Sequence, residues 1–256
     1  MQVPFDVLVD GFNFVEAPRN APDGSVYFSE LIEGGLYRYS PDGSVATILS
    51  DRRWIGGLVI NRDGSVICSG EGGLVRVYPE TGRVEPLLTE VDGKPVIAIN
   101  DIEAGPTGGI YGGTVDFKAI LEDGTEPSPG AFFLLRPDGE LRIIHRDLVA
   151  SNGMGFSPDL RRLYHSESPK GVWVHELDDQ GLPGDRKLAA ITAFDKAIAS
   201  GRLDDSAQAE VNFRLGELYV SLGQRERAIT HFRAAARTGP AEEWGTQSQA
   251  YLNLLR

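Results

Sequence analysis

Reverse turns recur through the first 187 residues of this 256-residue chain at a spacing that few folds can accommodate. Asp23-Gly24 leads into Ser25-Val26-Tyr27-Phe28-Ser29, and Asp63-Gly64 leads into Ser65-Val66-Ile67-Cys68-Ser69 forty residues later. Gly108-Gly109 precedes Ile110-Tyr111-Gly112-Gly113-Thr114, and Pro158-Asp159-Leu160 leads to Leu163-Tyr164-His165-Ser166. A second set comprises Pro41-Asp42-Gly43, Glu80-Thr81-Gly82 and Pro137-Asp138-Gly139. Each of these follows an apolar run such as Gly35-Leu36-Tyr37-Arg38-Tyr39 or Ala131-Phe132-Phe133-Leu134-Leu135. Short alternating runs bounded by Asp, Gly and Pro read as strands joined by turns. Two turns per repeat, at intervals of roughly 40 to 50 residues, fit the four-strand blade of a propeller, and about four blades can be counted.

The pattern stops near Lys187. The first 187 residues hold 26 of the 31 glycines, 14 of the 15 prolines, 17 basic and 29 acidic residues, which is the whole net charge of −12. The last 69 hold eight residues of each sign, one proline and thirteen alanines, so turn-rich β chemistry gives way to helix-forming chemistry. The expected domains are therefore 1–187 and 188–256. In the second, apolar residues recur every three or four positions over Ala207–Tyr219 and Arg225–Arg237, with Ser221-Leu222-Gly223 between them. Leu215, Gly216, Tyr219, Ala228, Phe232, Ala235 and Pro240 fall in a tetratricopeptide register, in which small residues let helices approach and large ones fill the gap. Ala190, Phe194 and Ala197 suggest a preceding helix, and Trp244 to Leu254 a following one.

An acidic chain lacks the basic face that a general nucleic-acid binder needs to displace counterions from phosphate. One cysteine, Cys68, excludes an internal disulfide, and its strand setting predicts a buried thiol. The opening residues lack the charged-then-apolar pattern of a secretion signal, and no apolar run reaches membrane-spanning length. A soluble, cytoplasmic protein with no membrane partner is the expectation. The histidines (His145, His165, His175, His231) are dispersed without ligand spacing, and Ser69-Gly70-Glu71-Gly72-Gly73 lacks the lysine of a phosphate loop and reads as a turn.

Three motifs carry a resemblance. They are Phe14-Val15-Glu16-Ala17-Pro18-Arg19 with the Asp23-Gly24 strand, Ile99-Asn100-Asp101 followed by Gly112-Gly113-Thr114, and Ser151-Asn152-Gly153-Met154-Gly155-Phe156-Ser157-Pro158-Asp159. Together, in this order, they resemble the SMP-30/gluconolactonase/LRE family over most of residues 5–180. The resemblance implies a six-bladed propeller that holds a divalent cation and hydrolyses sugar lactones or related esters. It implies Glu16 and Asn152 as metal ligands, Asn100 as a contact to substrate or to a bound water, and Asp101 beside it as a catalytic carboxylate. Asp116 falls near a substrate-contact position. Such a hard cation (calcium, zinc, manganese or magnesium) takes carboxylate and amide oxygens, and can polarise a lactone carbonyl. Taken alone, a glutamate before Ala-Pro reads as solvated, and asparagines before glycine or aspartate satisfy turn backbone.

The chain also departs from the family. Helices begin at about residue 188, where further blades and the remaining catalytic aspartate belong, so the expected fold is an incomplete, roughly four-bladed propeller with a tetratricopeptide-like helical tail. Asp204 and Asp205 lie just before a helical run, where capping explains them. Ala98 stands where the family carries an arginine. Two functions follow: a metal-dependent lactonase acting on a small-molecule lactone or ester, impaired by its missing parts, or a non-catalytic scaffold whose helices bind a protein or peptide partner.

Overall fold

The computed structural model describes residues 6–168, 170–239 and 243–255, so Pro240 of the helical pattern lies outside the described residues. The chain divides into two compact units, residues 1–186 and 187–256. The first is a succession of antiparallel meanders. β1 (Val15–Asn20), β2 (Val26–Glu30), β3 (Leu36–Tyr39) and β4 (Val45–Leu49) pair in sequence order. The second meander is built from β5 (Leu58–Ile60), β6 (Val66–Cys68), then β8 (Leu74–Tyr78) and β9 (Arg83–Leu88), with the short β7 (Gly70–Glu71) turned aside. A two-stranded hairpin, β10 (Glu90–Val91) and β11 (Lys94–Pro95), leads into the third meander. That meander comprises β12 (Ala98–Ala104), β13 (Ile110–Val115), β14 (Gly130–Leu135) and β15 (Leu141–Leu148). The fourth comprises β16 (Ala150–Phe156), β17 (Arg162–Ser168), β18 (Gly171–Leu177) and β19 (Pro183–Leu188). A bridge between Val115 and Ala150 joins the last two, and β7 pairs with β12, giving a nine-stranded sheet.

The turns form where the sequence marks them, and for the expected reason. A side-chain oxygen accepts the N–H two residues on in Asp23 (2.9 Å), Asp42 (3.0 Å), Asp63 (3.0 Å), Asp138 (3.0 Å) and Asp159 (3.1 Å). Asp178 does the same for Gln180 at 2.9 Å, in a turn that carries no Asp-Gly signature. Gly24, Gly43, Gly64 and Gly139 follow with φ of 84°, 86°, 79° and 88°, values that a side chain disfavours.

Packing between meanders comes from the two-residue alternation of strands. Leu58, Val66 and Cys68 point toward Ala17, Tyr27 and Leu36 of the first meander, while Val59 and Ile67 point the other way onto Ile99, Ile102 and Phe133 of the third. Tyr111, Phe132 and Leu134 then meet Leu163 of the fourth. Face-to-face stacking brings the first strands β1, β5, β12 and β16 side by side. Cys68 is fully buried, and burial pushes its thiol up to about 12.

The second unit contains α1 (Ala189–Ala199), α2 (Asp205–Ser221), α3 (Arg225–Thr238) and α4 (Glu243–Leu254). Asp204 caps α2 by accepting from the Ala207 N–H at 2.8 Å, as its position before a helical run implies. Gly216 lets α2 approach α3, because a Cβ there would lie 2.5 Å from the Phe232 ring. Phe232 is fully buried and stacks on Tyr251 at 4.7 Å.

Three of the histidines that are scattered in sequence meet in space between the third and fourth meanders. His165 lies flat on Phe132 at 4.1 Å and 4°, His175 lies 5.8 Å from the same ring, and His145 lies 5.2 Å from His175. Strand pairing is the cause, since β15, β14, β17 and β18 place their inward positions in one layer. Burial, followed by charge repulsion within the cluster, lowers His165 to about 4; burial also outweighs the Gly184 carbonyl contact that would raise His175, bringing it to about 4. Such groups bind protons more readily unfolded than folded, so their contribution is complete above pH 6.5 and is lost as pH falls toward 4. Urea unfolding across that range is expected to show a loss of a few kcal/mol, and a shallower one in His175→Gln. Phe232→Ala is expected to destabilise the helical unit by about 3–5 kcal/mol, read from its denaturation midpoint.

Candidate functional site

Three of the four first strands break their ladder at the site motifs. Pairing slips between Glu16 and Arg19 in β1, between Ile99 and Ile102 in β12, and between Ser151 and Met154 in β16. Each interruption encloses one motif, and a bulge of this kind frees a side chain from the regular in–out alternation and re-aims it. Ala17, beside Glu16, adopts a φ of 51°. The first strand of the second meander, β5, pairs with β6 without such a slip, but just ahead of it Trp54 takes a φ of 61°, which a bulky residue rarely adopts. Trp54 packs 6.1 Å from Phe117 within an apolar cluster that includes Leu31, Ala98 and Val115.

Side-chain contacts knit these interruptions together. The Ser29 hydroxyl donates to the Ile55 carbonyl at 2.6 Å and lies 3.3 Å from the Glu16 carbonyl. Gly56 has no side chain because Asn100 needs the space: a Cβ there would fall 1.9 Å from Asn100 Oδ1. Asn100 is 9% exposed, and its Nδ2 donates to the Ser151 carbonyl at 2.8 Å. Burial, with the Glu16 carboxylate as the next cause, pushes the Asp101 carboxyl up to about 6 against the opposing pull of Arg19. Arg19 itself pairs with Glu103 at 3.5 Å. Glu16, Asn100 and Asp101 are thus brought together, with Ser151 leading directly to Asn152.

The remaining expected residues stand differently. Asn152 is exposed, and its Oδ1 accepts from the Gly153 N–H at 2.9 Å, which is the turn-satisfying role. Asp116 is buried with both oxygens occupied, by Ala119 N–H at 3.0 Å and Ser128 N–H at 3.1 Å. Burial alone would raise its carboxyl, but these bonds prevail and lower it. It clasps the base of a π-helical turn over Lys118–Asp123 and lines a cavity of about 560 Å³ with Lys94, Thr114 and Arg146. Ala98 is fully buried in the apolar cluster. Among the described residues, no three His, Cys, Asp or Glu side chains group as a cation site. The oxygen donors near the interruptions are the Glu16 and Asp101 carboxylates and the two asparagine amides. A pair of carboxylates, one raised by burial and then by the charge of the other, suits a hard cation.

Gly56 and His165 support the site from outside the motifs, and Ser29 and Ser151 support it from within motifs that gave them no role of their own. The pair Gly56-Gly57 is a signal that could have found the first of these, since paired glycines mark close backbone approach.

Comparison with known proteins agrees with this architecture. The model of the SMP-30/Gluconolactonase/LRE-like region matches residues 14–211, running past the seam into α2. A gluconolactonase of Zymomonas mobilis is 26% identical over 210 residues, covering 73% of this chain and 59% of that protein. A 6-deoxy-6-sulfogluconolactonase of Pseudomonas putida is 30% identical over 167 residues, covering 64% and 54%. The chain therefore spans less than two thirds of the length of either relative. The crystal structure of a calcium-binding protein, regucalcin, from Agrobacterium tumefaciens superposes with a TM-score of 0.61 at 22% identity, over 71% of this chain and 61% of that one, and shares the propeller-like fold. With a family model matched across both the bulged first strands and their motifs, this chain belongs to the SMP-30/gluconolactonase/LRE-like family.

Proposed function

We propose that the chain is a lactonase-type hydrolase that opens a small cyclic ester at the Glu16–Asn100–Asp101 site with a divalent cation. The carrying observation is the carboxylate pair: Asp101 is pushed up to about 6 by burial and by the charge of Glu16. A carboxylate of that basicity is ionised at neutral pH yet accepts a proton more readily than an ordinary aspartate, which suits a general base for an attacking water. Asn100, pinned between Gly56 and the Ser151 carbonyl, holds its amide still for an ester oxygen. Glu16 and Asn152 would hold the cation, Asn152 after releasing the Gly153 N–H. When bound, the cation supplies Lewis acidity toward an ester carbonyl. Trp54 and Phe117 pack in an apolar cluster with Ala98, two residues before Asn100.

On this reading the four meanders are blades of an incomplete propeller of the six-bladed type, and the rate is lowered because helices follow β19 where a further blade is expected. The lactonase relatives support the substrate class, and the calcium-binding neighbour supports the cation.

Purified protein with Ca²⁺, Mn²⁺ or Zn²⁺, assayed on a panel of aldonolactones, is expected to show metal-dependent ring opening. Glu16→Ala is expected to lower that rate by about 10²-fold or more, and an unchanged rate would overturn the assignment. The carboxylate pair also makes a prediction independent of turnover. A carboxyl raised on folding favours the folded state only when protonated, so Asp101 costs stability progressively as pH rises through about 6. Without divalent cation, Asp101→Asn is therefore expected to melt higher than the parent at pH 8 and equally at pH 4. Excess Ca²⁺ or Mn²⁺ should raise the melting point of the parent and leave that of Glu16→Ala unchanged.

A further inference from the structure

The chain of contacts that fixes Asn100 continues beyond the site. Ser151, whose carbonyl receives the Asn100 amide, is fully buried, and its hydroxyl lies 2.9 Å from His165 Nε2. Space for that hydroxyl exists because residue 113 is glycine: a Cβ there would fall 1.9 Å from Ser151 Oγ. His165 is 1% exposed and is held by its stacking on Phe132. Its other nitrogen, Nδ1, is buried with no partner among the described residues, so the bond to Ser151 is the ring's polar anchor.

The position of this bond gives it a role. Ser151 and Met154 flank the interruption that contains Asn152, and His165 sits opposite Met154 on β17. Ladder bonds are lost across a bulge, and the backbone there keeps one geometry only if side chains replace them. The Ser151–His165 bond crosses that gap, and the carbonyl it steadies is the one that holds Asn100. We propose that His165, acting through Ser151, is a positioning residue that fixes the Asn100 amide and the Asn152 turn. This rests on the proposed site in which those two asparagines serve, and its role requires only the hydrogen bond at Nε2.

A glutamine reaches the Nε2 position of a histidine, whereas an asparagine reaches only the Nδ1 position, so the two variants separate the bond from mere polarity and size. Hydrogen exchange of the Asn100 side-chain amide, followed by nuclear magnetic resonance on the full chain, reads the positioning directly. Exchange is expected to be about tenfold faster in His165→Asn and in Ser151→Ala, the loss of one hydrogen bond, and to return to the parent rate in His165→Gln. Equal exchange in His165→Asn and His165→Gln, at matched melting points, overturns the proposal. Where His165→Asn does not fold, parent-like exchange in Ser151→Ala overturns it alone. Calorimetric titration of the parent with CaCl₂ or MnCl₂ is run in parallel. A parent that binds neither ion but shows the exchange pattern removes support from the cation reading and leaves the positioning role standing.

Discussion

Everything in the first unit depends on strands that bury both faces. Leu58 and Val59 are neighbours in sequence, yet one belongs to the core shared with the first meander and the other to the core shared with the third. This double use is what stacks the meanders in order and sets β1, β5, β12 and β16 beside one another. Hydrophobic burial supplies the driving force, but it is indifferent to where polar atoms end up. The site is a by-product of the stacking: because the first strands adjoin, interruptions at equivalent points on them face one another.

Those interruptions need side-chain bonds in place of the ladder. Glu30, 2% exposed, accepts N–H groups from Phe14, Ile32, Glu33 and Gly34, and so ties the segment before Glu16 to the end of β2. Glu167, fully buried, does similar work in the fourth meander, accepting from Val149 N–H at 3.2 Å and Trp173 Nε1 at 2.8 Å while pairing with Lys170 and Arg186. Buried carboxylates remain acceptable because each is saturated by donors. Asp101 has no such donors among the described residues, so burial and then the charge of Glu16 raise its carboxyl against the pull of Arg19 alone.

The meanders and helices were legible because their signals are local. An Asp-Gly pair makes its turn with atoms two residues apart, and the period of Ala207–Tyr219 is a property of one helix. The motif residues were legible only through resemblance, and Asn152 shows the cost: its local chemistry, a turn bond to Gly153, is all that its own neighbourhood reveals. The histidine cluster and the Ser151–His165 bond were illegible, because partners fourteen to thirty residues apart meet only once the strand order is known. Asp116 marks the opposite limit, a residue expected near a substrate contact whose carboxylate is occupied by a loop that the sequence did not single out.

The turn aspartates bear on how the charge of this chain is understood. Asp23, Asp42, Asp63, Asp138, Asp159 and Asp178 each spend a carboxylate on closing a reversal, and these six equal half of the net charge of −12. A backbone that reverses so often, with carboxylates doing the closing, becomes acidic as a matter of construction. Half of the net charge is then a count of corners rather than a field aimed at a ligand, and surface charge could be redesigned with asparagine at those corners without touching the site.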